Sequence, residues 1–221
     1  MKKQEREALL VQKLIEMKQY EEALYLQGVK FVAGVDEVGR GPLAGPVVTA
    51  CVVLPEHFDV LGVDDSKKLS EKKREELYIK IKEKAIVYAI GMADHTTIDE
   101  INILEATKKA MKQAIEKVHR ELLANHGQGI DHVLIDALTL KDVEIPQTGI
   151  IKGDASSISI AAASILAKVT RDRMMVEYAK EYPDYAFERN KGYGTKAHYD
   201  GIHKTGVCDI HRRSFLKKIT G

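Results

Sequence analysis

The sequence predicts an α/β fold, a mixed five-stranded sheet flanked by helices, with an N-terminal helical extension and a C-terminal helical segment. Short apolar runs rich in Val and Ile alternate with longer segments of helical periodicity. Only about ten residues separate the first two runs, which favours an antiparallel pair, whereas later strands alternate with helices. The length of 221 residues suits one domain with an appendage.

The first 28 residues are more charged than the rest of the chain and contain no proline. Their apolar residues recur at helical spacing, at Leu10, Leu14, Met17, Tyr20 and Leu24. We expect residues 1–28 to form an amphipathic helix or helical hairpin outside the main core. Residues 29–221 then form the main domain.

The main domain contains five strand-like segments and three long helical ones. Strands are predicted over residues 31–35, 46–54, 85–92, 132–136 and 149–152. Helices are predicted over residues 70–84, 97–123 and 157–181. Ser70 is expected to cap the first helix, a capping box over Thr97–Glu100 to open the second, and Pro183 to follow the end of the third.

The charge is balanced overall but unevenly distributed. The formal net charge is +1, which by itself indicates no polyanionic partner. Residues 31–66 carry six acids against one base, whereas residues 186–221 carry eight Lys and Arg against three acids. This suits an enzyme that holds metal at one place and phosphates at another, although charge alternation on solvated faces explains it equally well.

The cysteines and the N-terminus indicate where the protein acts. The two cysteines show neither a disulfide framework nor zinc spacing, which favours a reducing cytoplasm. The N-terminus is rich in Lys and Glu, and no run of about 18 apolar residues exists. We therefore expect a cytoplasmic protein that is neither secreted nor membrane-spanning, and a monomer.

Four carboxylates follow predicted strands. Asp36 and Glu37 close the first strand, Asp136 closes the fourth, and Asp154 lies just past the fifth. If these strands are parallel, the acids meet at the edge where open α/β sheets bind ligands. Their mutual repulsion would require cations, and two divalent ions are the usual solution for phosphoryl chemistry. Each acid alone is also typical of a turn or a helix cap, so the argument depends on their joint placement.

Glu37 raises a geometric difficulty, because adjacent residues of a strand point to opposite faces. Asp36 and Glu37 cannot both face one ion from a regular strand. Either the strand bends at Gly39, or Glu37 acts from the rim or through its main chain. We expect Asp36 to be the bridging ligand.

Several motifs resemble, in collinear order over roughly residues 30–216, those of the bacterial ribonuclease HII family. The longest is Gly34-Val-Asp-Glu-Val-Gly-Arg-Gly-Pro-Leu-Ala-Gly-Pro-Val48. The others are Asp65-Ser-Lys-Lys-Leu-Ser70, Leu134-Ile-Asp-Ala137, Lys152-Gly-Asp-Ala155, Ser159-Ile-Ala-Ala-Ala-Ser-Ile-Leu-Ala-Lys-Val-Thr-Arg-Asp-Arg173, Asn190-Lys-Gly-Tyr-Gly-Thr195 and His211-Arg-Arg-Ser-Phe215.

The resemblance implies an RNase H-like fold and endonucleolytic cleavage of RNA paired to DNA, including DNA duplexes that contain single ribonucleotides. It implies that Asp36, Glu37, Asp136 and Asp154 form the active site with Mg²⁺ or Mn²⁺, with two ions when substrate is bound. It also implies that Gly39, Arg40 and Gly41 contact the backbone and the 2′-hydroxyls of the nucleic acid near the scissile bond. Tyr193 is implied to pack at the ribonucleotide that precedes DNA. Removal of misincorporated ribonucleotides and of RNA primers is the implied role.

Basic residues are candidates for phosphate contacts, which add salt-dependent affinity but little sequence specificity. The candidates are Lys67, Lys68, Lys168, Arg171, Arg173, Lys191, Arg212 and Arg213. About half are expected to be ordinary solvated surface. The histidines lack metal-ligand spacing, and we interpret His198, His203 and His211 as surface or phosphate-side residues.

Three alternatives remain open from the sequence. A type 3-like ribonuclease H would cleave hybrids without specificity for the junction between a ribonucleotide and the DNA that follows it. A non-catalytic hybrid-binding module would use the same fold but would not cleave. The four acids argue against the module. A phosphotransfer enzyme acting on small nucleotides is disfavoured because the glycine-rich start lacks a full phosphate-binding motif.

Overall fold

The structure is a computed structural model that describes residues 3–217. Its centre is a five-stranded sheet in the order β3-β2-β1-β4-β5. The strands are β1 (Val32–Val38), β2 (Val47–Val53), β3 (Val87–Ala93), β4 (His132–Asp136) and β5 (Gln147–Ile150). β1 pairs with β2, and β2 with β3, in antiparallel fashion, whereas β1, β4 and β5 are parallel. The predicted mixed sheet is confirmed.

Helices of very different length surround the sheet. They are α1 (Lys3–Met17), α2 (Gln19–Tyr25), α3 (Glu71–Lys84), α4 (His95–His126), α5 (Ile158–Glu181), α6 (Phe187–Asn190), α7 (Lys196–Thr205) and α8 (Arg213–Leu216). Short 3₁₀ turns occur at Gly153–Ala155 and Pro183–Tyr185. Over the described chain, no helix combines the length and apolar character needed to cross a membrane.

α5 covers one face of the sheet and α4 covers the other. Ala50 and Val52 of β2 pack with the small residues of α5, while Cys51 of the same strand packs with Met111 of α4. Because both faces are covered, every residue of β2 is buried. α5 approaches β1 so closely that a Cβ added at Gly34 would lie 2.1 Å from the carbonyl carbon of Ser159. The first turn of α5 is thereby seated directly behind β1.

The N-terminal extension is helical, as predicted, but it does not lie outside the core. Met17 and Glu21 are each only 2% exposed, and Met17 belongs to the same apolar cluster as Phe58 and Ile158. Leu24 packs against the cluster behind β1 and β4. The predicted separation from the core was wrong because one face of the extension is apolar enough to be buried.

Several element boundaries differ from the predicted ones. Ser70 caps α3 through its side chain, as predicted. The capping box at Thr97 is wrong, since Asp94 caps α4 and accepts a 2.8 Å hydrogen bond from the amide of Thr97. β1 continues through Val38, so Asp36 and Glu37 lie inside the strand and pair with β2 rather than closing it.

Candidate active site

Four acids lie at the carboxyl end of the parallel strands. Asp36 and Glu37 are on β1, Asp136 is the last residue of β4, and Asp154 lies in the 3₁₀ turn that follows β5. Val35 of β1 is in register with Ile135 of β4, so Asp36, the next residue of β1, lies at the level of Asp136, the last residue of β4. The parallel pairing therefore brings the acids to one edge of the sheet. We refer to Asp36, Glu37, Asp136 and Asp154 as the carboxylate cleft.

Asp36 is the most buried member of the carboxylate cleft, with 5% exposure. Its Oδ1 accepts a 2.7 Å hydrogen bond from the amide of Glu37, and the Ser164 side chain of α5 also hydrogen bonds to it. Burial raises the pKa of Asp36 well above its usual value, and the charges of Glu37 and Asp136 add to this rise. In the absence of a cation, a negative charge at Asp36 is strongly disfavoured.

Glu37 is held by Arg40, whose Nη1 lies 3.5 Å from Oε1. Its other oxygen, Oε2, is buried and has no hydrogen-bond partner among the described residues. Burial raises the pKa of Glu37, and the Arg40 charge opposes the rise while the Asp136 charge adds to it. Asp136 thus acts on both acids of β1, and Glu37 presents an unsatisfied oxygen of the type that a hard cation binds.

Asp136 and Asp154 are linked through the turn between them. Oδ1 of Asp136 accepts a 2.7 Å hydrogen bond from the amide of Gly153, the residue before Asp154. Burial raises the pKa of Asp154, with the charges of Asp65 and Asp136 adding to the rise and that of Lys67 opposing it. Nζ of Lys67 lies 3.7 Å from Oδ2 of Asp154.

Asp65 was not among the predicted site residues. The charge of Asp65 and its side-chain hydrogen bond with Asp154 both raise the pKa of Asp154, so Asp65 is a fifth acidic group at the border of the carboxylate cleft. Burial alone would lower the pKa of Lys67, but the charges of Asp154, Asp36 and Asp65 raise it. The acid and the lysine two positions apart, at 65 and 67, were the available signal in the sequence.

The carboxylate cleft fits a divalent cation but is not a complete ligand cage. Nowhere in residues 3–217 do three or more His, Cys, Asp or Glu side chains form a group with metal-ligand geometry. A cation would nevertheless stabilise this site, because it would neutralise buried carboxylates whose pKa values are raised. It would also bind the oxygen of Glu37 that lacks a partner among the described residues. Mg²⁺ tolerates a partial protein ligand set, since it usually binds one or two carboxylates together with waters and substrate phosphates.

The structure brings the Gly-Arg-Gly segment next to Tyr193. A Cβ added at Gly41 would lie 3.6 Å from Cε1 of Tyr193, and the amide of Leu43 donates a 2.8 Å hydrogen bond to the carbonyl of Gly192. Tyr193 is 43% exposed, so its ring is available to a ligand. Gly39 has a φ of 92°, a left-handed conformation that favours glycine.

Two of the predicted phosphate-binding arginines are instead buried. Arg171 and Arg212 are 0% exposed. Arg212 donates to the carbonyls of Gly39, Arg40 and Gly45, with lengths of 2.6, 3.0 and 2.9 Å. The predicted phosphate contacts are therefore wrong for this pair, because their guanidinium groups are used by main-chain carbonyls.

Arg171 joins the glycine-rich loop to the Tyr193 segment. It donates to the carbonyls of Ala44 and Pro46 on one side, at 3.1 and 2.9 Å, and to that of Lys191 on the other, at 2.8 Å. The two arginines thus fix the shape of residues 39–46 and their position relative to Tyr193. They are positioning groups, because their donors are used by main-chain carbonyls.

Two histidines were also misplaced by the sequence. His203 is exposed, but His198 and His211 are 0% and 1% exposed. Their Nε2 atoms lie 3.0 Å apart, and Nδ1 of His198 lies 3.0 Å from the carbonyl oxygen of Tyr193. Burial lowers the pKa of His211 to about 4 and also lowers the pKa of His198, so both rings favour the neutral form and support the Tyr193 segment through the contact of His198 with the Tyr193 carbonyl.

The remaining basic candidates have neighbours on the protein surface. Lys168 contacts Asp172 at 2.7 Å, Arg173 pairs with Glu75, and Lys68 lies 3.8 Å from Asp64. Lys191 donates to the carbonyl of Glu188. The predicted phosphate contacts of these residues and of Arg213 stay predictions.

Comparison with known proteins gives one consistent family. The family model described as ribonuclease HII matches residues 33–218. A ribonuclease HII of Caldanaerobacter subterraneus subsp. tengcongensis is 54% identical over 95% of this chain and 83% of its own length. That of Enterococcus faecalis is 58% identical over 90% of this chain and 75% of its own length.

Solved structures show the same fold. The ribonuclease H2 of Pyrococcus horikoshii OT3 superposes with a TM-score of 0.64 at 27% identity, covering 83% of this chain and 93% of that one. The ribonuclease HII of Archaeoglobus fulgidus, solved in a complex with PCNA, gives a TM-score of 0.65 at 24% identity, with 86% and 95% coverage. The second likeness concerns the fold alone.

Proposed function

Because the chain belongs to the ribonuclease HII family, we propose that it is a metal-dependent endonuclease that hydrolyses the RNA strand of RNA/DNA hybrids and cuts 5′ of single ribonucleotides in duplex DNA. The observation that carries this proposal is the carboxylate cleft, in which acids from β1, β4 and the turn after β5 meet at one sheet edge. A non-catalytic hybrid-binding module would have no use for this costly concentration of charge.

The four acids of the carboxylate cleft are the proposed ligands of Mg²⁺ or Mn²⁺, with two ions in the substrate complex. The metal would supply Lewis acidity and a lowered pKa of bound water. The protein's own task is to keep its acids in place for the cation. Ser164 and the amide of Glu37 hold Asp36, and the amide of Gly153 holds Asp136. Hydrolysis is proposed to leave 5′-phosphate and 3′-hydroxyl ends.

Selection of RNA over DNA requires contact with the 2′-hydroxyl, which both donates and accepts hydrogen bonds. We propose that residues 39–41 make this contact through their main chain, because glycine allows a sugar to approach closely. The neighbouring ring of Tyr193 would pack on the nucleotide at the junction between RNA and DNA. Its position beside Gly41 supports this division of roles.

The proposed biological role is removal of misincorporated ribonucleotides and of RNA primers. The cytoplasmic location and the monomeric state remain predictions from the sequence. Size-exclusion chromatography with light scattering, at several concentrations, would test the monomer.

The function is tested with a labelled DNA duplex that contains one ribonucleotide, incubated with Mg²⁺, Mn²⁺ or EDTA. We expect cleavage on the 5′ side of the ribonucleotide with either metal and none in EDTA. Cleavage of only an all-RNA strand paired to DNA would favour the type 3-like alternative. Binding without cleavage of either substrate would favour the non-catalytic module.

A further inference from the structure

Glu21 of α2 is a buried acid outside the carboxylate cleft. It is 2% exposed, and its Oε1 accepts two hydrogen bonds at the start of α5. One comes from the Ser157 hydroxyl at 2.6 Å and the other from the Ser159 amide at 3.0 Å. The extension therefore satisfies donors at the N-terminus of a helix that packs directly behind β1.

A short chain of hydrogen bonds leads from Glu21 to the acids. Ser157 caps α5, and its amide donates a 2.8 Å hydrogen bond to the carbonyl of Gly153. The amide of Gly153 donates in turn to Asp136 at 2.7 Å. Asp154 is the next residue, so the turn fixed by Ser157 carries one acid and holds another.

A second contact of the extension reaches the same border of the site. Lys13 of α1 forms an ion pair with Asp64, which directly precedes Asp65. Lys67, in the same loop, lies 3.7 Å from Asp154. The extension thus supports the surroundings of Asp154 from two sides.

The burial of Glu21 carries a cost that simple packing would avoid. Its Oε2 is buried and has no hydrogen-bond partner among the described residues. Burial also raises the pKa of Glu21, against the effect of its hydrogen bonds with Ser157 and Ser159. An apolar side chain of the same size would fill the space without leaving a buried oxygen unpaired. Glu21 instead supplies the hydrogen-bond acceptor that orders the turn at Gly153.

We propose that Glu21 is a positioning residue for the proposed nuclease reaction, which holds Asp136 and Asp154 in place through Ser157 and the turn at Gly153. The inference rests on the proposed function and assigns a part of the site to the N-terminal extension. Without the acceptor, the fold remains but the turn loses its fixed position.

The test compares three variants of the full chain. Glu21→Met keeps the volume and removes the acceptor, Glu21→Gln keeps an acceptor, and Glu22→Met is the matched control on the exposed side of the same helix. With an RNA/DNA hybrid we expect kcat of Glu21→Met to fall roughly tenfold or more with KM little changed, since small misplacements of catalytic groups are costly. Glu21→Gln and Glu22→Met should stay within about twofold of the wild type.

A readout independent of turnover is amide hydrogen exchange of metal-free protein. The amides of residues 153–160 should exchange faster in Glu21→Met than in the wild type, and at the wild-type rate in Glu22→Met. If Glu21→Met does not fold, Ser157→Ala tests the same link. Unchanged exchange at residues 153–160, or a lower melting temperature with unaltered kcat, would overturn the inference. If the wild type cleaves no hybrid, the proposed function fails, while the exchange experiment still reports on the turn.

Discussion

Gly153 donates a 2.7 Å hydrogen bond from its amide to Oδ1 of Asp136, and this contact joins the end of β4 to the turn after β5. The bond uses one oxygen of Asp136 and leaves the other for a ligand. It also fixes the residue next to Asp154. The positions of two acids from different strands are therefore coupled through one main-chain donor.

This coupling separates the catalytic from the structural effect of Asp136→Asn. The amide oxygen of Asn can still accept the bond from Gly153, so we expect the melting temperature to change by no more than about 2 °C. Turnover should be lost by a factor of about 10³ or more, since the anionic ligand is gone. Cleavage of the single-ribonucleotide duplex and thermal unfolding, measured on the same sample, check both parts. Near-normal cleavage would remove Asp136 from the site.

Asp36→Asn is expected to stabilise the metal-free protein while abolishing turnover. The folded-state pKa of Asp36 is raised, so ionised Asp36 destabilises the fold at neutral pH. The melting temperature should rise by about 2–4 °C for each kcal/mol that the wild-type protein loses through the burial of the Asp36 charge and its repulsion by neighbouring acids. This gain should shrink as the pH falls through the raised folded-state pKa and vanish below about 4, where the wild-type carboxyl is protonated in both states. A gain in EDTA that is independent of pH would contradict this account.

Tyr193→Ala tests recognition of the junction. The ring is exposed beside Gly41, and a stacked aromatic ring contributes about 1–3 kcal/mol per base. We expect kcat/KM on the single-ribonucleotide duplex to fall about tenfold to a hundredfold, with a smaller loss on a long hybrid. Tyr193→Phe should lose little on either substrate. Equal losses of Tyr193→Ala on both substrates would show that the ring supports the loop only.

Arg212→Gln separates loop support from phosphate binding. Removing the guanidinium leaves the carbonyls of Gly39, Arg40 and Gly45 without donors, at a cost of about 3 kcal/mol or more. We expect a clearly lower melting temperature and an unchanged dependence of hybrid affinity on salt, since no phosphate contact is lost. The exposed Lys68 is the matched control.

Lys68→Gln should leave the melting temperature almost unchanged. If Lys68 contacts a phosphate, the slope of log affinity against log salt should decrease by about one. Both variants are compared by titrating a labelled hybrid at several salt concentrations in EDTA. A decreased slope for Arg212→Gln would return that residue to the nucleic-acid interface.

The sheet and the acids were predictable because their signals are local. Apolar runs mark the strands, and Asp136 and Asp154 stand next to the runs that place them. Asp36 and Glu37 were found in the same way, although β1 extends past them.

The supporting groups were not predictable because their partners are distant. Arg171 and Arg212 look like any basic residues of a nuclease until the fold brings main-chain carbonyls 125 to 173 positions away into reach. Glu21 finds its partners 136 and 138 positions along the chain. The burial of these residues depends on how whole helices and strands pack together, so no periodic pattern in the sequence predicts it.

The contact between Arg212 and the carbonyl of Gly39 also determines the order in which parts of the site form while the chain is being synthesised. A growing chain acquires the strands and the acids by residue 154, but Arg212, the second of the two arginines that shape residues 39–46, arrives 173 positions after Gly39. Contacts so distant in sequence form late, because a long loop must close first. On the ribosome, residues 39–46 are therefore the last part of the site to take their final shape, and a nascent chain holds its acidic residues before the loop that we propose reads the sugar is ordered.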